Sequence, residues 1–186
     1  MNKLLLSLAL GLAATTATAA EPDTAALTME ARQQVKAFGG ELLQTVQQGM
    51  KAGGPMAAIP LCNTEAPQIK ARHSAGDWQV GRTSLKLRNP NNAPDSWELA
   101  TLKSFDQRLA AGEDPMKIDA STLENGQFRY MKAIPAGAVC MNCHGQNLQA
   151  DVSKKLSELY PADQAVGYLP GQLRGAFTLR KAVATQ

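Results

Sequence analysis

Histidine and cysteine are scarce in this chain of 186 residues, which has two His and three Cys. A structural zinc site would need four of those five side chains, and their spacings do not suit one. Aromatics are few, at two Trp, three Tyr and four Phe, so the core is lean in large side chains. Neither sign of charge dominates: 19 basic residues face 16 acidic ones, for a net +3. There is no dense Lys/Arg block, which argues against nucleic acid as the main partner. With 19% of residues charged and 44% apolar, wholesale disorder is also excluded. Long apolar runs are missing. Leu4–Leu12 is too short to cross a bilayer, and no later stretch approaches the roughly 18 apolar residues a spanning helix needs. No internal repeat or low-complexity tract divides the chain, so one domain is expected.

What is present begins with an address. Lys3, the apolar run and Ala17-Thr18-Ala19 form a cleavable export signal over residues 1–20. Residues 21–186 are then a single exported, soluble domain, placed in the periplasm, with 18 basic and 16 acidic residues.

The periodicity of that domain changes along its length. Leu27, Val35, Phe38, Leu42 and Val46 recur at helical spacing from Thr24 to about Met50. Gly53-Gly54-Pro55 breaks the pattern, and Met56–Arg72 reads as a shorter helical stretch interrupted by Pro60 and Pro67. From Trp78 to Arg88 the spacing becomes two, with Thr83, Leu85 and Leu87 alternating with Arg82, Ser84, Lys86 and Arg88, as in a half-buried strand. Pro94-Asp95 opens a helix carrying Trp97, Leu102, Phe105 and Leu109 that ends near Gly112. Asp95 and Glu98 favour its start. Asn125-Gly126 is a hairpin signal, with strands on either side. A short helix over Asp151–Tyr160 and a final strand over Leu173–Arg180 complete an α+β domain, with helices segregated to one side of an antiparallel sheet.

Chemistry is concentrated in Cys140-Met141-Asn142-Cys143-His144, the attachment pattern of c-type haem. Thiols three residues apart lie one helical turn apart, where both can add to the two haem vinyl groups. The adjacent His then reaches the iron. A Cys-x-x-Cys pair alone can be a redox disulfide, but that chemistry does not require the following His. One covalent haem is therefore expected, with Cys140 and Cys143 as thioethers and His144 as proximal iron ligand. An embedded haem would also supply apolar volume that the aromatics do not. The other side of the iron is open to His73, one of the six methionines after Met1, Cys62, or no side chain at all. Met/His ligation raises the potential, whereas a thiolate favours ferric iron. Cys62 is the odd cysteine, either a small buried hydrophobe or a ligand. His73 lies in a charged stretch and reads first as a solvated side chain, while Met131 and Met141 read first as core filling.

The chain resembles the periplasmic c-type haem proteins with a PAS-like core, a former domain of unknown function (the Tll-type haem domain with His/Cys ligation). The resemblance is carried by Cys62-Asn-Thr-Glu-Ala-Pro67 and by Val80–Glu98, VGRTSLKLRNPNNAPDSWE. It continues in Cys140–Gly145 and Leu173-Arg-Gly-Ala-Phe177, and spans nearly all of the mature chain. It implies a PAS-like antiparallel sheet with flanking helices and an axial pair of His144 and Cys62. Unlike the sensory members, this sequence carries no transmembrane helix or output domain.

With imidazole and thiolate both bound the iron has no vacant site, so oxidase or peroxidase chemistry is disfavoured. Cys62 would protonate and detach on reduction, freeing the segment it tethers, as a switch requires. The expected function is a redox or small-ligand sensing module, with a haem and a separate redox or signalling partner. A plain electron-transfer cytochrome is the alternative. Arg82 and Arg88, with Lys86 on the same expected strand face, are candidates for pairing with the haem propionates, against a merely solvated face. No convergent carboxylate pair, Ser-His-Asp arrangement or phosphate-cradling Gly loop marks an enzyme.

Overall fold

Asp23 starts the first helix, its carboxylate accepting the backbone N–H groups of Ala25 and Ala26 at 3.0 Å. The computed structural model describes residues 22–183, so the export signal expected over residues 1–20 lies outside the described residues. Helix α1 (Thr24–His73) is two arms jointed at Gly53 and Gly54, which alone within it leave helical backbone angles. Gly54 has φ 66°, a conformation that glycine adopts without strain. The break predicted there is present.

The predicted interruptions at Pro60 and Pro67 are not, and the helix runs through both. Each proline removes one backbone donor and costs about 3 kcal/mol in a helix interior. Ile59 and Ile69 are fully buried on the same arm, each contributing about 1.5–3 kcal/mol. That burial offsets much of the cost, and the other contacts of the arm keep both prolines within the helix. The arms fold back on each other. A β-carbon on Gly49 would lie 2.5 Å from the Ala58 Cα, and Glu41 of the first arm pairs with Arg72 and His73 of the second.

Four antiparallel strands form one sheet in the order β1-β4-β3-β2: β1 (Trp78–Thr83), β2 (Asp119–Glu124), β3 (Gln127–Pro135) and β4 (Leu173–Ala182). Strand β1 stops at Thr83, earlier than the alternation predicts. Ser84 is buried, and its hydroxyl lies within bonding distance of the Arg174 carbonyl (2.8 Å) and the Lys86 carbonyl (2.9 Å). It also accepts the Lys86 N–H (3.2 Å). That side chain turns the backbone out of the sheet, leaving Leu85 exposed and removing Lys86 and Arg88 from the face that Arg82 shares. Between β2 and β3, Asn125 (φ 52°) and Gly126 (φ 70°) make the predicted two-residue turn.

Helix α2 (Ser96–Ala110) begins in a capping box, with the Asp95 carboxylate accepting the Glu98 N–H and the Glu98 carboxylate accepting the Asp95 N–H, both at 3.0 Å. Replacing Asp95 with Ala also removes its contact with Arg129 (2.6 Å). The variant should lose about 1–2 kcal/mol of stability, read as a drop of a few degrees in thermal midpoint; an unchanged midpoint would refute the cap's role.

The helices were expected on one side of the sheet, but they cover both. Phe128 and Tyr130 of β3 pack with Leu27, Ala31, Phe38, Leu42 and Ile69 of α1. Met131 and Ala133, of opposite parity on the same strand, pack with Leu102 and Phe105 of α2. The sheet is thus the middle of three layers. Two further helices, α3 (Met141–His144) and α4 (Ala150–Leu159), lie in the excursion between β3 and β4. Among the described residues, no helix is long and apolar enough to cross a membrane.

Candidate functional site

The excursion leaves the sheet at Ala136 and is closed at its base, where the Ala136 N–H donates to the Gln172 carbonyl and the Gly171 N–H to the Ala136 carbonyl, both at 2.8 Å. A short 3-10 turn over Ala138–Cys140 runs directly into α3. Cys140 and Cys143 therefore lie about one turn apart on continuous right-handed backbone. All three cysteines are free and half-buried. Gly145 ends α3. Its N–H donates to the Met141 carbonyl (3.1 Å), and a β-carbon at this position would lie 2.6 Å from that same oxygen. Only glycine fits so close an approach.

His144 is held from the ring and from the backbone. Its Nδ1 donates to the Ala165 carbonyl at 2.7 Å, its own carbonyl accepts the Tyr168 N–H (2.9 Å), and the Gly145 carbonyl accepts the Gly167 N–H (3.0 Å). Tyr168 stands edge-on to the ring, with centroids 6.3 Å apart. Burial pushes the imidazole pKa down to about 2, helped by the positive charges of Arg174 and Arg88. The ring is thus neutral at physiological pH. With Nδ1–H committed to a carbonyl, the lone pair is on Nε2, the tautomer a metal ligand needs.

Arg88 reaches this loop and ties it together. Its guanidinium pairs with Asp163 (Nε 3.1 Å, Nη2 3.0 Å), while Nη2 also donates to the Cys143 carbonyl (2.5 Å) and the Ala165 carbonyl (3.4 Å). Asp163 in turn accepts the Ala165 N–H at 2.8 Å. Both charged side chains are nearly buried, at 13% and 9% exposure. The pair fixes the carbonyl that orients His144. Lys86 lies beside the same loop, with its Nζ 3.3 Å from the Val166 carbonyl and 5.0 Å from the Tyr168 ring centroid.

Cys62 comes to the site from the second arm of α1. One turn before it, Ile59 packs with Val152 and Leu156 of α4, and Cys143 borders that cluster. Burial raises the Cys62 thiol pKa, with Arg82 and Arg88 opposing the rise. The Cys143 thiol is likewise raised, mainly by burial and in small part by Cys62. Arg82 is exposed on β1, and its charge acts on Cys62 and His144 alike.

His73 is committed elsewhere, bonded through Nε2 to Glu41 at 2.8 Å and packed on Phe38. It is half-buried rather than solvated. Met131 is sealed under α2, and Met141 packs near Ala136, Ala165 and Tyr168.

The reading of the sequence missed Asp163, Ala165, Tyr168 and Arg174. The last of these stands in the terminal stretch that carried the resemblance, but nothing local marked its role. The Nη1 of Arg174 donates to Ser84 Oγ at 3.1 Å, and its guanidinium lies 5.4 Å over the Tyr168 ring. Its Nε is buried without a partner. A hollow of about 610 Å³, bordered by Gly145, Leu156, Tyr160 and Gly167, opens beside the same loop.

No curated protein matches this chain. Among solved structures, the crystal structure of the cyanobacterial haem protein Tll0287 is similar, with 26% identity and a TM-score of 0.59, over 90% of this chain and 99% of that one. The model of the Tll0287-like family matches residues 13–181. That match covers nearly the whole sequence: the chain belongs to the Tll0287-like family.

Proposed function

We propose that the protein is an exported, periplasmic c-type haem protein that senses redox state or a small ligand. Cys140 and Cys143 would hold the haem covalently, and His144 and Cys62 would be the ligands of its iron. The four-stranded sheet with its helices is read as PAS-like. The residues fit the group: two free thiols at one-turn spacing, a neutral imidazole with Nε2 available, and a third free thiol brought alongside. When bound, haem supplies a one-electron iron couple whose absorption reports its ligands.

Sensing is favoured over plain electron transfer by one observation, that Cys62 sits on an arm jointed at Gly53-Gly54. His144 is fixed to the rigid excursion through Ala165, whereas Cys62 belongs to a separately hinged element. Release of Cys62, with a proton taken up at Sγ, would remove one tether between that arm and the His144 loop, leaving Ile59 against α4 as the apolar link between them. Such a difference in attachment suits a two-state element.

Ferric and ferrous absorption spectra of the wild type and Cys62→Ala test the reading, using protein from a host that attaches haem. The pigment should survive acid-acetone extraction. Cys62→Ala should alter the ferric spectrum and converge with the wild type once both are reduced, while His73→Ala should leave both states unchanged. A colourless wild type, or one whose pigment extracts freely, ends the haem reading. A wild type that keeps Cys62 bound in both oxidation states makes it an electron carrier.

A further inference from the structure

We infer that Arg174 is the buried cation that receives a carboxylate of the bound ligand, a haem propionate, and that Arg88 is the structural clamp of the His144 loop. The inference rests on the haem reading above. The guanidinium groups of Arg88, Arg129 and Arg174 are all largely withdrawn from water, and the first two have their counterions. Arg88 has Asp163, and Arg129 has Asp95 and Glu98. Arg174 has none: no ion pair among the described residues engages it.

Its Nε is buried and unpartnered, and Ser84 Oγ is the side-chain acceptor at Nη1. A buried charge without a counterion is strongly disfavoured unless something completes it. A carboxylate is the complement a guanidinium fork accepts best.

The position is prepared in advance. Ser84 Oγ lies 2.8 Å from the Arg174 carbonyl as well as 3.1 Å from Nη1, so one hydroxyl grips both ends of the residue. The next residue, Gly175, brings the backbone so close to β1 that a β-carbon there would lie 2.4 Å from the Thr83 carbonyl. Tyr168, under the guanidinium, also flanks the His144 ring. Arg174 is therefore presented, with little freedom left to lose, beside the imidazole that would face the haem. Arg88 cannot serve equally, because its charge already has Asp163 and its Nε and Nη2 donors go to Asp163 and to the carbonyls of Cys143 and Ala165. Arg82 also lacks an ion pair, but although burial lowers its pKa its side chain is exposed on β1, and among the described residues no hydrogen bond holds it in place as Ser84 holds Arg174.

The test follows propionate ionisation through the Soret band of the holoprotein between pH 4 and 8. In the wild type, ionisation should lie below the ordinary carboxylate range. In Arg174→Gln its midpoint should rise by about one to three pH units, and Arg174→Lys should stay near the wild type. Arg88→Gln should lower the thermal midpoint and move the titration by less than Arg174→Gln does. Infrared spectra of wild-type protein with carbon-13-labelled propionates need no variant that must fold, and should show at least one of the two carboxyl groups still ionised at pH 4. A wild type whose propionates titrate as they do in Arg174→Gln, or are both protonated at pH 4, overturns the inference while leaving the haem reading intact. A colourless wild type overturns both.

Discussion

Asp163→Ala should be among the most damaging single substitutions in the protein, lowering stability by roughly 3–5 kcal/mol. At this size that is a fall of about 6–20 °C in thermal midpoint. The cause is what the variant leaves behind. Arg88 would remain buried at 13% exposure without its counterion, and the Ala165 N–H would lose its acceptor. Ala165 then ceases to present its carbonyl firmly to His144 Nδ1, so the damage extends to the proposed ligand's orientation. Pairing the change with Arg88→Met removes the stranded charge and should recover part of the loss, giving a coupling above 1 kcal/mol in a double-mutant cycle. Strictly additive losses in calorimetric unfolding would refute the account.

Gly49→Leu is the second large effect, and it acts on backbone geometry. The two arms of α1 cross where Gly49 meets Ala58, and the built β-carbon would lie 2.5 Å from the Ala58 Cα and 3.0 Å from its nitrogen. Both are main-chain atoms, which cannot yield by changing rotamer. A loss of about 3 kcal/mol or more is expected, at or above the usual cost of overpacking. Ala58 is four residues before Cys62, so forcing the arms apart also displaces that thiol. Unfolding by denaturant reads the first effect, and thiol labelling of Cys62 in the haem-free protein reads the second. Labelling at the wild-type rate would show that the arms do not position it.

Local features of the fold were legible where one short segment decides the geometry. Asn125-Gly126 needs two positive φ angles and supplies residues that accept them. Asp95 and Glu98 cap each other three residues apart. Cys140–His144 carries its spacing within one turn of helix. Other features depend on distant partners. Strand β1 was read too long because Ser84 looks like one more polar residue in an alternation, yet it answers to Arg174, 90 residues away. The layering was misjudged although β3 held a clue: Phe128 and Tyr130 are apolar on one parity, Met131 and Ala133 on the other, as a strand covered on both faces requires. The partner of His144 is a backbone carbonyl, and any residue type could have supplied it. The Arg88–Asp163 pair spans 75 positions and leaves no periodic trace.

The closure at Ala136, Gly171 and Gln172 has a consequence for how such a chain can diverge. Strands β3 and β4 pair in one register from Gln127 to Ile134 and shift only at Pro135, so the span 136–172 behaves as a cassette with its own fasteners. Lengthening it near Gln146-Asn147 adds only about 0.6 kcal/mol of closure entropy per doubling. Descendants could therefore resculpt the pigment's surroundings through insertions and deletions there while inheriting the supporting sheet unaltered.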